Sequence, residues 1–238
     1  MEVLKGKTVL IAGATGGIGS AITRQIAASG AVVFITGRNA DKLQQVADAA
    51  AIPAEKVFEM DISNEESVSK TIEKVLSQTP QIDILINAVG IGIIKPFESL
   101  SSGDFLSSLQ TNLLGAFYLV KAILPGMKLQ KKGLIINIPG ILGKVPMAGA
   151  AAYSASKYGL VGMMQSIREE IKRTDIRITN LFLGGVDSPF WDTIDLRVQK
   201  DKMIVAEEAA KAVWFLCQQP VSGVVSEMVL QPFNHQAI

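Results

Sequence analysis

Short apolar segments alternate with longer amphipathic segments along the whole chain, and this alternation limits the fold more than any other feature. Most apolar segments are continuous, which is typical of strands buried on both faces. They are Thr8–Ala12, Val32–Thr36, Val57–Glu59, Ile82–Ile86, Leu134–Ile138, Ile176–Phe182 and Met228–Leu230. The helices predicted between them are Ile18–Ser29, Asp41–Ala50, Glu65–Ser77, Phe105–Lys128, Ala152–Arg173 and Ala206–Gln218. This order predicts an α/β fold with a doubly wound parallel sheet of about seven strands and helices on both faces.

The composition fits one domain over residues 1–238. The chain is 48% hydrophobic and 19% charged, which is enough to bury a sizeable core, and no linker divides it. The 23 Lys and Arg nearly balance the 22 Asp and Glu, so we expect no nucleic-acid partner. No apolar run reaches the roughly 20 residues of a membrane span, and no signal-peptide pattern follows Lys5 and Lys7. We therefore expect a soluble, cytoplasmic protein with no membrane partner.

The cysteine and histidine content excludes several kinds of site. The single cysteine, Cys217, cannot form an internal disulfide or a Cys-x-x-Cys site. The single histidine, His235, lies three residues from the end of the sequence. We therefore expect no metal site, and a Ser-His-Asp triad would depend on that terminal histidine.

The first predicted strand leads through a glycine-rich turn directly into a helix. A turn without side chains lets backbone N–H groups at a helix N-terminus bind the pyrophosphate of a dinucleotide. A turn that only packs tightly is the alternative, and the absence of a following Gly-Lys-Ser/Thr excludes a nucleotide-triphosphate loop. We predict a Rossmann-type cofactor site that includes Gly13, Thr15, Gly16, Gly17, Ile18 and Gly19.

The end of the second strand indicates which dinucleotide binds. A carboxylate there would bind the ribose hydroxyls of NAD and repel a 2′-phosphate, but the chain has Thr36, Gly37 and Arg38. The Arg38 guanidinium can pair with a phosphate, so the sequence favours NADP(H). An ordinary surface arginine is the alternative, and it leaves NAD(H) open.

Tyr153 and Lys157 lie four residues apart at the start of a predicted helix. Residues with this spacing share one helical face, so the phenol and the ammonium can converge on one site. The ammonium stabilises the phenolate and lowers a phenol pKa that is ordinarily about 10, as general acid catalysis at neutral pH requires. The spacing alone also fits a core tyrosine beside a surface lysine.

Together with the glycine turn, this pair resembles the short-chain dehydrogenase/reductase family in its classical form. The resemblance covers almost the whole chain, and its landmarks occur in the order typical of the family. They are Gly13-x-x-x-Gly17-x-Gly19, Asp61-Ile62, Asn87-Ala88-Val89-Gly90, Asn112, Tyr153-x-x-x-Lys157 and Leu183-Gly184-Gly185-Val186-Asp187-Ser188. The resemblance implies hydride transfer between a nicotinamide and a carbonyl/alcohol pair.

The resemblance also implies which residues bind the cofactor. Asp61 and Ile62 would hold the adenine. Asn87 and Gly90 would line the central ribose. The carboxamide of the nicotinamide would be bound by Val186 and Ser188.

Three residues would carry the chemistry by the same resemblance. Tyr153 would act as general acid/base on the substrate oxygen. Lys157 would lower the pKa of Tyr153 and bond the nicotinamide ribose. Asn112 would hold a water through which Lys157 relays protons.

The chain departs from the family pattern at three places. The usual Asn-Asn-Ala-Gly is changed to Asn87-Ala88-Val89-Gly90, and Leu183 replaces the proline after the sixth strand. The third departure is the most serious, because the catalytic serine of the family lies thirteen residues before the tyrosine and this position is Gly140. Loss of one such hydrogen-bond donor typically costs on the order of 10²–10³ in rate.

Several interpretations of Gly140 stay open. The substrate could carry its own hydrogen-bonding group, or a water could take the place of the hydroxyl. Ser188 could supply a hydroxyl, whereas Ser154 should point away from the face of Tyr153. The chain could instead bind the cofactor without turnover, as a regulatory or scaffold protein, and a purely structural module is the third alternative.

The segment at about 189–203 is expected to form a lid over an apolar substrate pocket. Candidate wall residues are Ile93, Ile94, Pro96, Phe97, Val145, Met147, Phe190, Trp191 and Ile194. A Trp191 that only packs against the base of the lid is an equal alternative. The apolar, small-residue-rich helices Phe105–Lys128 and Ala152–Arg173 imply, by the resemblance, a homodimer or homotetramer.

Overall fold

Strands and helices alternate along the chain in the predicted order. The computed structural model describes residues 3–220 and 222–234, and His235 lies outside the described residues. The strands are β1 Thr8–Ala12, β2 Val32–Gly37, β3 Val57–Glu59, β4 Ile84–Asn87, β5 Lys132–Asn137, β6 Asp175–Leu183, β7 Val186–Asp187, β8 Ile204–Val205 and β9 Glu227–Leu230. The helices are α1 Gly17–Ala27, α2 Ala40–Ala49, α3 Glu65–Gln78, α4 Ser102–Leu109, α5 Gly115–Gln130, α6 Ala151–Ile171 and α7 Ala206–Leu216.

Seven of these strands form one parallel sheet in the spatial order β3-β2-β1-β4-β5-β6-β9. The order reverses between β1 and β4, because the chain leaves the sheet centre first in one direction and then in the other. In sheets of this kind ligands bind outside the carboxyl ends of the strands at the point of reversal. The predicted doubly wound, Rossmann-like fold is confirmed.

Both faces of the sheet are covered by helices, as the continuous apolar strands predict. One core cluster joins the sheet to α1, α2 and α7 through residues such as Ile22, Leu43 and Val213. The cluster on the other face joins it to α3, α5 and α6, with Leu119 and Leu160 among its buried members. The two clusters pack the helices against the sheet beneath the loops that follow each strand.

The predicted helix Phe105–Lys128 is wrong as a single helix. It begins earlier, at Ser102, where Ser101 and Asp104 form a reciprocal capping box. It is then interrupted by a π-helical turn over Gln110–Leu114 before α5 continues. Such turns are rare in proteins, and those that occur are often found at functional sites.

A second, two-stranded sheet forms beyond the main one. β7 pairs with β8, with Val186 opposite Ile204 and Asp187 opposite Val205. Two-residue strands leave no periodic pattern, so the sequence analysis did not contain them. The pairing fixes the start and the end of the segment expected to form the lid.

Within residues 3–220 and 222–234, none of the helices combines the length and the apolar character that a membrane span requires.

Candidate active site

The glycine turn between β1 and α1 packs closely against the loop after β4 and the segment after β7. A Cβ at Gly13 would lie 2.9 Å from the Val89 nitrogen, and Gly13 itself has a φ of +84°. A Cβ at Gly19 would collide with the Gly13 carbonyl oxygen, and one at Gly17 would lie 2.7 Å from the Ser188 Cβ. The absence of side chains therefore brings three loops together at the N-terminus of α1.

The other turn residues occupy the edge of this closely packed region. The Gly16 amide donates to the Gly13 carbonyl at 3.2 Å, and Ile18 lines the adjoining cavity. Thr15 packs on Gly37, because a Cβ at Gly37 would lie 2.9 Å from the Thr15 Cγ2. An acidic side chain at position 37 would therefore displace Thr15, which gives a packing reason for the lack of a carboxylate there.

Arg38 and Asp61 lie near one another beyond the ends of β2 and β3. Arg38 is exposed, and its charge contributes to holding the pKa of Asp61 below its usual value. The larger cause of that lowered pKa is the Ser63 hydroxyl, which donates to the Asp61 carboxylate at 2.6 Å. The Asp61 carboxylate is thus already engaged, whereas the Arg38 guanidinium faces solvent.

Two predicted cofactor residues turn toward the protein interior. Ile62 is buried against α5, where a Cβ at Gly115 would lie 2.9 Å from the Ile62 Cγ1. The Asn87 amide donates to the Asn137 Oδ1 at 3.3 Å, and its oxygen accepts from the Val89 amide. Asn87 does not line the cavity described below, among the residues in the structure's described ranges. Its predicted contact with the ribose stays a prediction.

Gly90, Asn112 and Lys157 meet beneath the end of β4. A Cβ at Gly90 would lie 3.0 Å from the Lys157 Nζ and 3.5 Å from the Asn112 Oδ1. The Lys157 Nζ donates to the Ile138 carbonyl at 3.4 Å. The structure therefore brings together these three predicted residues, which are far apart in sequence.

Asn112 is held rigidly by the π-helical turn. Its Nδ2 donates to the Ile91 carbonyl at 3.0 Å and to the Ser156 Oγ at 2.9 Å, and its Oδ1 accepts from the Ile91 amide at 2.9 Å. An amide oxygen has two acceptor sites, so one remains for a further donor after the Ile91 amide is bound.

Ser156 is a positioning residue that the sequence analysis missed. Its hydroxyl accepts from Asn112 and donates to the Tyr153 carbonyl at 2.7 Å, so it fastens the π-helical turn to α6. Ser156 lies between Tyr153 and Lys157, which is a local signal. Its partner is 44 residues away, and that contact exists only in the folded chain.

Tyr153 and Lys157 converge at the start of α6 as the spacing predicts. The Lys157 Nζ lies 5.6 Å from the centre of the Tyr153 ring. Lys157 is only 2% exposed, and burial lowers its pKa to about 8. Burial raises the pKa of Tyr153, which is opposite to the direction expected from the lysine alone.

Gly140 has a backbone conformation that side chains disfavour. Its φ is +72° and its ψ is 168°, a region used almost only by glycine. A Cβ there would lie 3.7 Å from both the Tyr153 hydroxyl and the Leu183 carbonyl oxygen. Apart from its chain neighbours, no other described atom lies within 4 Å of that point. Gly140 is therefore an open position beside Tyr153, and its backbone as well as its side chain departs from a serine site.

The two neighbouring serines do not fill this position. Ser188 packs against Gly17, and its hydroxyl is directed to the Val186 carbonyl at 3.4 Å. The Ser154 hydroxyl is buried and does not line the cavity in the described part of the chain. The expectation that Ser154 points away from the shared face agrees with this geometry.

A cavity of about 730 Å³ extends from the end of the glycine turn to Gly140 and Tyr153. Its walls are mostly apolar, as is typical of small-molecule sites. The predicted site residues that line it are Ile18, Gly90, Tyr153, Lys157, Val186 and Ser188. The cavity thus joins the catalytic pair to the part of the site predicted for the nicotinamide.

The aromatic residues after β7 form one wall of the cavity. The Phe190 ring contacts Gly92, where a side chain would collide with it, and its centre lies 5.9 Å from the centre of the Tyr153 ring. Trp191 meets Phe190 edge to face and donates from its Nε1 to the Val186 carbonyl at 2.9 Å. Trp191 therefore both anchors this segment and lines the cavity.

The expected wall residues are correct only in part. Ile94, Val145, Met147, Phe190 and Trp191 line the cavity. Ile93, Pro96, Phe97 and Ile194 do not, and Phe97 is 74% exposed. Phe97 lies in a short 3₁₀ turn after the β4 loop, which carries it away from the site. Further wall residues, which no sequence pattern indicates, are Leu142, Leu196, Arg197, Val198, Gln199, Lys202, Met203, Gln231 and Asn234.

Among the residues that the structure describes, no group of three or more His, Cys, Asp or Glu side chains could hold a metal ion.

Comparisons with known proteins agree with this geometry. The family model described as short chain dehydrogenase matches residues 7–198. A 3-oxoacyl-(acyl-carrier-protein) reductase of Aquifex aeolicus is 32% identical and covers 96% of this chain and 97% of its own. The structure is similar to an alcohol dehydrogenase of the archaeon Thermococcus sibiricus complexed with 5-hydroxy-NADP, with a TM-score of 0.87, 27% identity, and coverage of 98% and 99% of the two chains. It is also similar to the closed form of a serine dehydrogenase complexed with NADP⁺, with a TM-score of 0.86, 26% identity and 96% coverage of both chains.

Proposed function

The chain belongs to the short-chain dehydrogenase/reductase family of oxidoreductases, and we propose that it transfers hydride between NADP(H) and a carbonyl/alcohol substrate. The observation that carries the proposal is the convergence of Tyr153 and Lys157 on one apolar cavity of about 730 Å³, with Asn112 close to Lys157 at Gly90. An unused cofactor fold would not require a buried lysine beside a tyrosine that lines the cavity.

The residues at the glycine turn fit a dinucleotide. Side chains at Gly13, Gly17 and Gly19 would fill the crowded turn. The Gly16 amide is bonded within the turn, but the amides of the first turn of α1, which begins at Gly17, have no partner within the helix. This arrangement suits a pyrophosphate. A bound nicotinamide would supply or accept the hydride.

Arg38 supports a preference for NADP(H). Its guanidinium is exposed beyond β2, where a 2′-phosphate on the adenosine ribose would lie, and Gly37 has no room for a competing carboxylate. The two solved relatives described above contain NADP or a derivative of it. Asp61 and Ile62 would bound the adenine, and Val186 and Ser188 would bound the carboxamide.

The chain's own residues would handle the proton. The Tyr153 hydroxyl would donate a proton to the substrate oxygen in reduction and accept it in oxidation. The Lys157 ammonium, with a pKa that burial lowers to about 8, would stabilise the phenolate and pass protons onward. Asn112 would hold the water of this relay through the acceptor site of its Oδ1 that the Ile91 amide leaves open.

Gly140 implies a substrate that needs no serine hydroxyl. The open space beside Tyr153 would accept a substrate group or a water that donates to the reacting oxygen. Because the position is open rather than blocked, its geometry is compatible with turnover.

We also propose a lid and an oligomer. The segment at about 189–203 would cover the substrate, with Phe190 against Gly92 and Tyr153. Leu106, Phe117 and Tyr158 leave apolar surface exposed on α4, α5 and α6, which supports pairing of these helices in a homodimer or homotetramer.

A cofactor-binding regulatory or scaffold protein is the second candidate function. The observation that favours it is Gly140 itself, which has no side-chain donor for the substrate oxygen. Such a protein would bind NADPH without consuming it.

The test is NADPH consumption by the purified protein over a panel of ketones, aldehydes and β-ketoacyl thioesters. We expect turnover of at least one member, and a loss of about 10²- to 10⁴-fold in kcat for Tyr153→Phe at an unchanged cofactor Kd. NADPH binding without consumption of any substrate would favour the second candidate. The absence of a cofactor-dependent thermal shift would argue against both.

A further inference from the structure

All charged side chains that line the cavity, within the described ranges, are cations. They are Lys157, Arg197 and Lys202, and no described Asp or Glu lines it. Apolar walls screen charges less than water does. A charge bound in the cavity therefore interacts with these cations more strongly than it would in bulk solvent. The cavity therefore favours an anionic ligand over a neutral one of equal shape.

The three cations lie at different depths. Lys157 is buried beside Tyr153, whereas Arg197 and Lys202 are exposed and mark the mouth of the cavity. Gln199 and Gln231, which are polar and uncharged, line the same cavity. A ligand that fills the cavity would have its reacting group at Tyr153 and its other end near Arg197 and Lys202.

The rim cations differ from the lysine between them. Lys200 donates to the Asp192 carboxylate at 2.6 Å, so its charge is compensated within the segment. Arg197 and Lys202 form no ion pair with any carboxylate in residues 3–220 and 222–234. Two cations without such partners at the mouth of an apolar cavity are suited to bind an external anion.

The position of the rim is fixed by contacts of the surrounding backbone. The Met203 side chain, next to Lys202, packs on Gly185, where a Cβ would lie 3.3 Å from its Cγ. Gln231 and Pro232 pack on Gly184 in the same way. The rim is thus built on the loop after β6.

We propose that the substrate carries an anionic group, a carboxylate or a phosphate, joined by an apolar body to the reacting carbonyl, and that Arg197 and Lys202 bind that group. The inference rests on the proposed function and specifies its substrate class. The same anion chemistry could come from the phosphates of the cofactor, so the experiment must separate the two sources.

The experiment compares a medium-chain oxo acid with its methyl ester as substrates at saturating NADPH. The two differ by one charge at nearly constant shape. We expect the acid-to-ester ratio of kcat/KM to fall about two- to fivefold in each of Arg197→Gln and Lys202→Gln, and about tenfold in the double variant, with the change in KM for the acid. Lys211→Gln, which removes an equal charge from an exposed position on α7, should leave the ratio unchanged.

The dependence of KM on ionic strength tests the proposal independently of the substrate comparison. The KM for the acid should rise with ionic strength in the wild type and much less in the double variant, while the KM for the ester stays constant. An acid-to-ester ratio that neither variant changes would overturn the proposal even if both substrates are consumed. A raised cofactor Kd with an unchanged ratio would overturn it as well, because the bound anion would then belong to the cofactor.

A binding measurement distinguishes failure of the inference from failure of the proposed function. If no substrate is consumed, the proposed function fails, and the thermal shift caused by a medium-chain alkanoate is compared with that of the matching alcohol. A larger shift with the alkanoate that is lost in the double variant would support the anion site without turnover. Equal shifts in wild type and double variant would overturn it.

Discussion

The glycines of the turn after β1 and the glycine after β5 both border the candidate active site, yet their surroundings differ. At Gly13, Gly17 and Gly19, added Cβ atoms would meet backbone or side-chain atoms at 2.9 Å or less. At Gly140 the nearest atoms are 3.7 Å away, and only the φ of +72° disfavours a side chain. At the cofactor end, close packing is thus what requires glycine. At the substrate end the space is open, and only the backbone conformation favours glycine.

This difference explains how the chain can keep one half of a family pattern and change the other. A side chain at Gly13, Gly17 or Gly19 would push apart three loops, so these three positions tolerate no side chain. An open position beside Tyr153 can lose a hydroxyl without disturbing its neighbours. Replacing the family's serine with Gly140 has a chemical consequence, because the substrate oxygen loses a hydrogen-bond donor. A structural cost arises only when a residue other than glycine must adopt the positive φ.

The largest expected effect is at Gly19. Gly19→Ala places a methyl group against the Gly13 carbonyl oxygen, so the turn must open and the cofactor site is lost. We expect a large drop in Tm and no thermal shift with NADP⁺. Gly16→Ala is the matched control, because its Cβ would lie 3.5 Å from the same oxygen and its φ is −74°, and it should fold normally. Equal Tm values for the two variants would show that close packing is not what requires glycine in the turn after β1.

The second effect concerns the buried charge of Lys157. Its pKa is lowered to about 8 in the folded state from an ordinary value of 10.5, so below pH 8 folding requires burial of an ammonium. The unfolded chain binds more protons between pH 8 and 10.5, and stability therefore rises with pH in that window. The shift corresponds to about 3 kcal/mol at pH 7.

Lys157→Met removes this cost. We expect the variant to be more stable than the wild type by up to about 3 kcal/mol at pH 7, with roughly half of the difference left at pH 9.5. Chemical denaturation at the two pH values measures it. A variant that is less stable than the wild type at pH 7 would mean that Lys157 stabilises the fold. Burial of its ammonium would then not reduce the stability of the protein.

A smaller effect is expected for cofactor choice. Arg38→Glu replaces the phosphate partner with a carboxylate, so the ratio of kcat/KM for NADPH over NADH should fall about tenfold or more. Arg173→Glu, which makes an equal charge change at an exposed position after α6, should leave the ratio unchanged. An undiminished preference for NADPH in Arg38→Glu would remove the basis for NADP(H).

Much of the fold follows from local patterns. The strand segments of the main sheet and five of the six helical segments have the predicted type, because continuous apolar strands and amphipathic helices are visible in any short window. The π-helical turn at Gln110–Leu114 is not visible in this way. The side chain of Asn112 within it bonds to Ile91 and to Ser156, which are distant from it in sequence.

The site could be predicted only where a motif fixes it. Tyr153, Lys157 and Gly90 meet as predicted, since their spacing and strand ends determine their places. The side-chain directions of Ile62 and Asn87 depend on neighbours in α5 and β5, and the motif does not contain those neighbours. The sequence identifies Gly140 by counting, but its positive φ and the open space around it arise from the path of the loop after β5.

The most direct measurement is NADPH oxidation by the wild type, Gly140→Ala and Gly140→Ser over the same carbonyl panel. Both variants carry the backbone strain of about 1–3 kcal/mol, so their comparison isolates the hydroxyl. The account predicts that the wild type turns over at least one carbonyl and that Gly140→Ser does not exceed it. A wild type that binds NADPH but consumes none, beside an active Gly140→Ser and a silent Gly140→Ala, would contradict it.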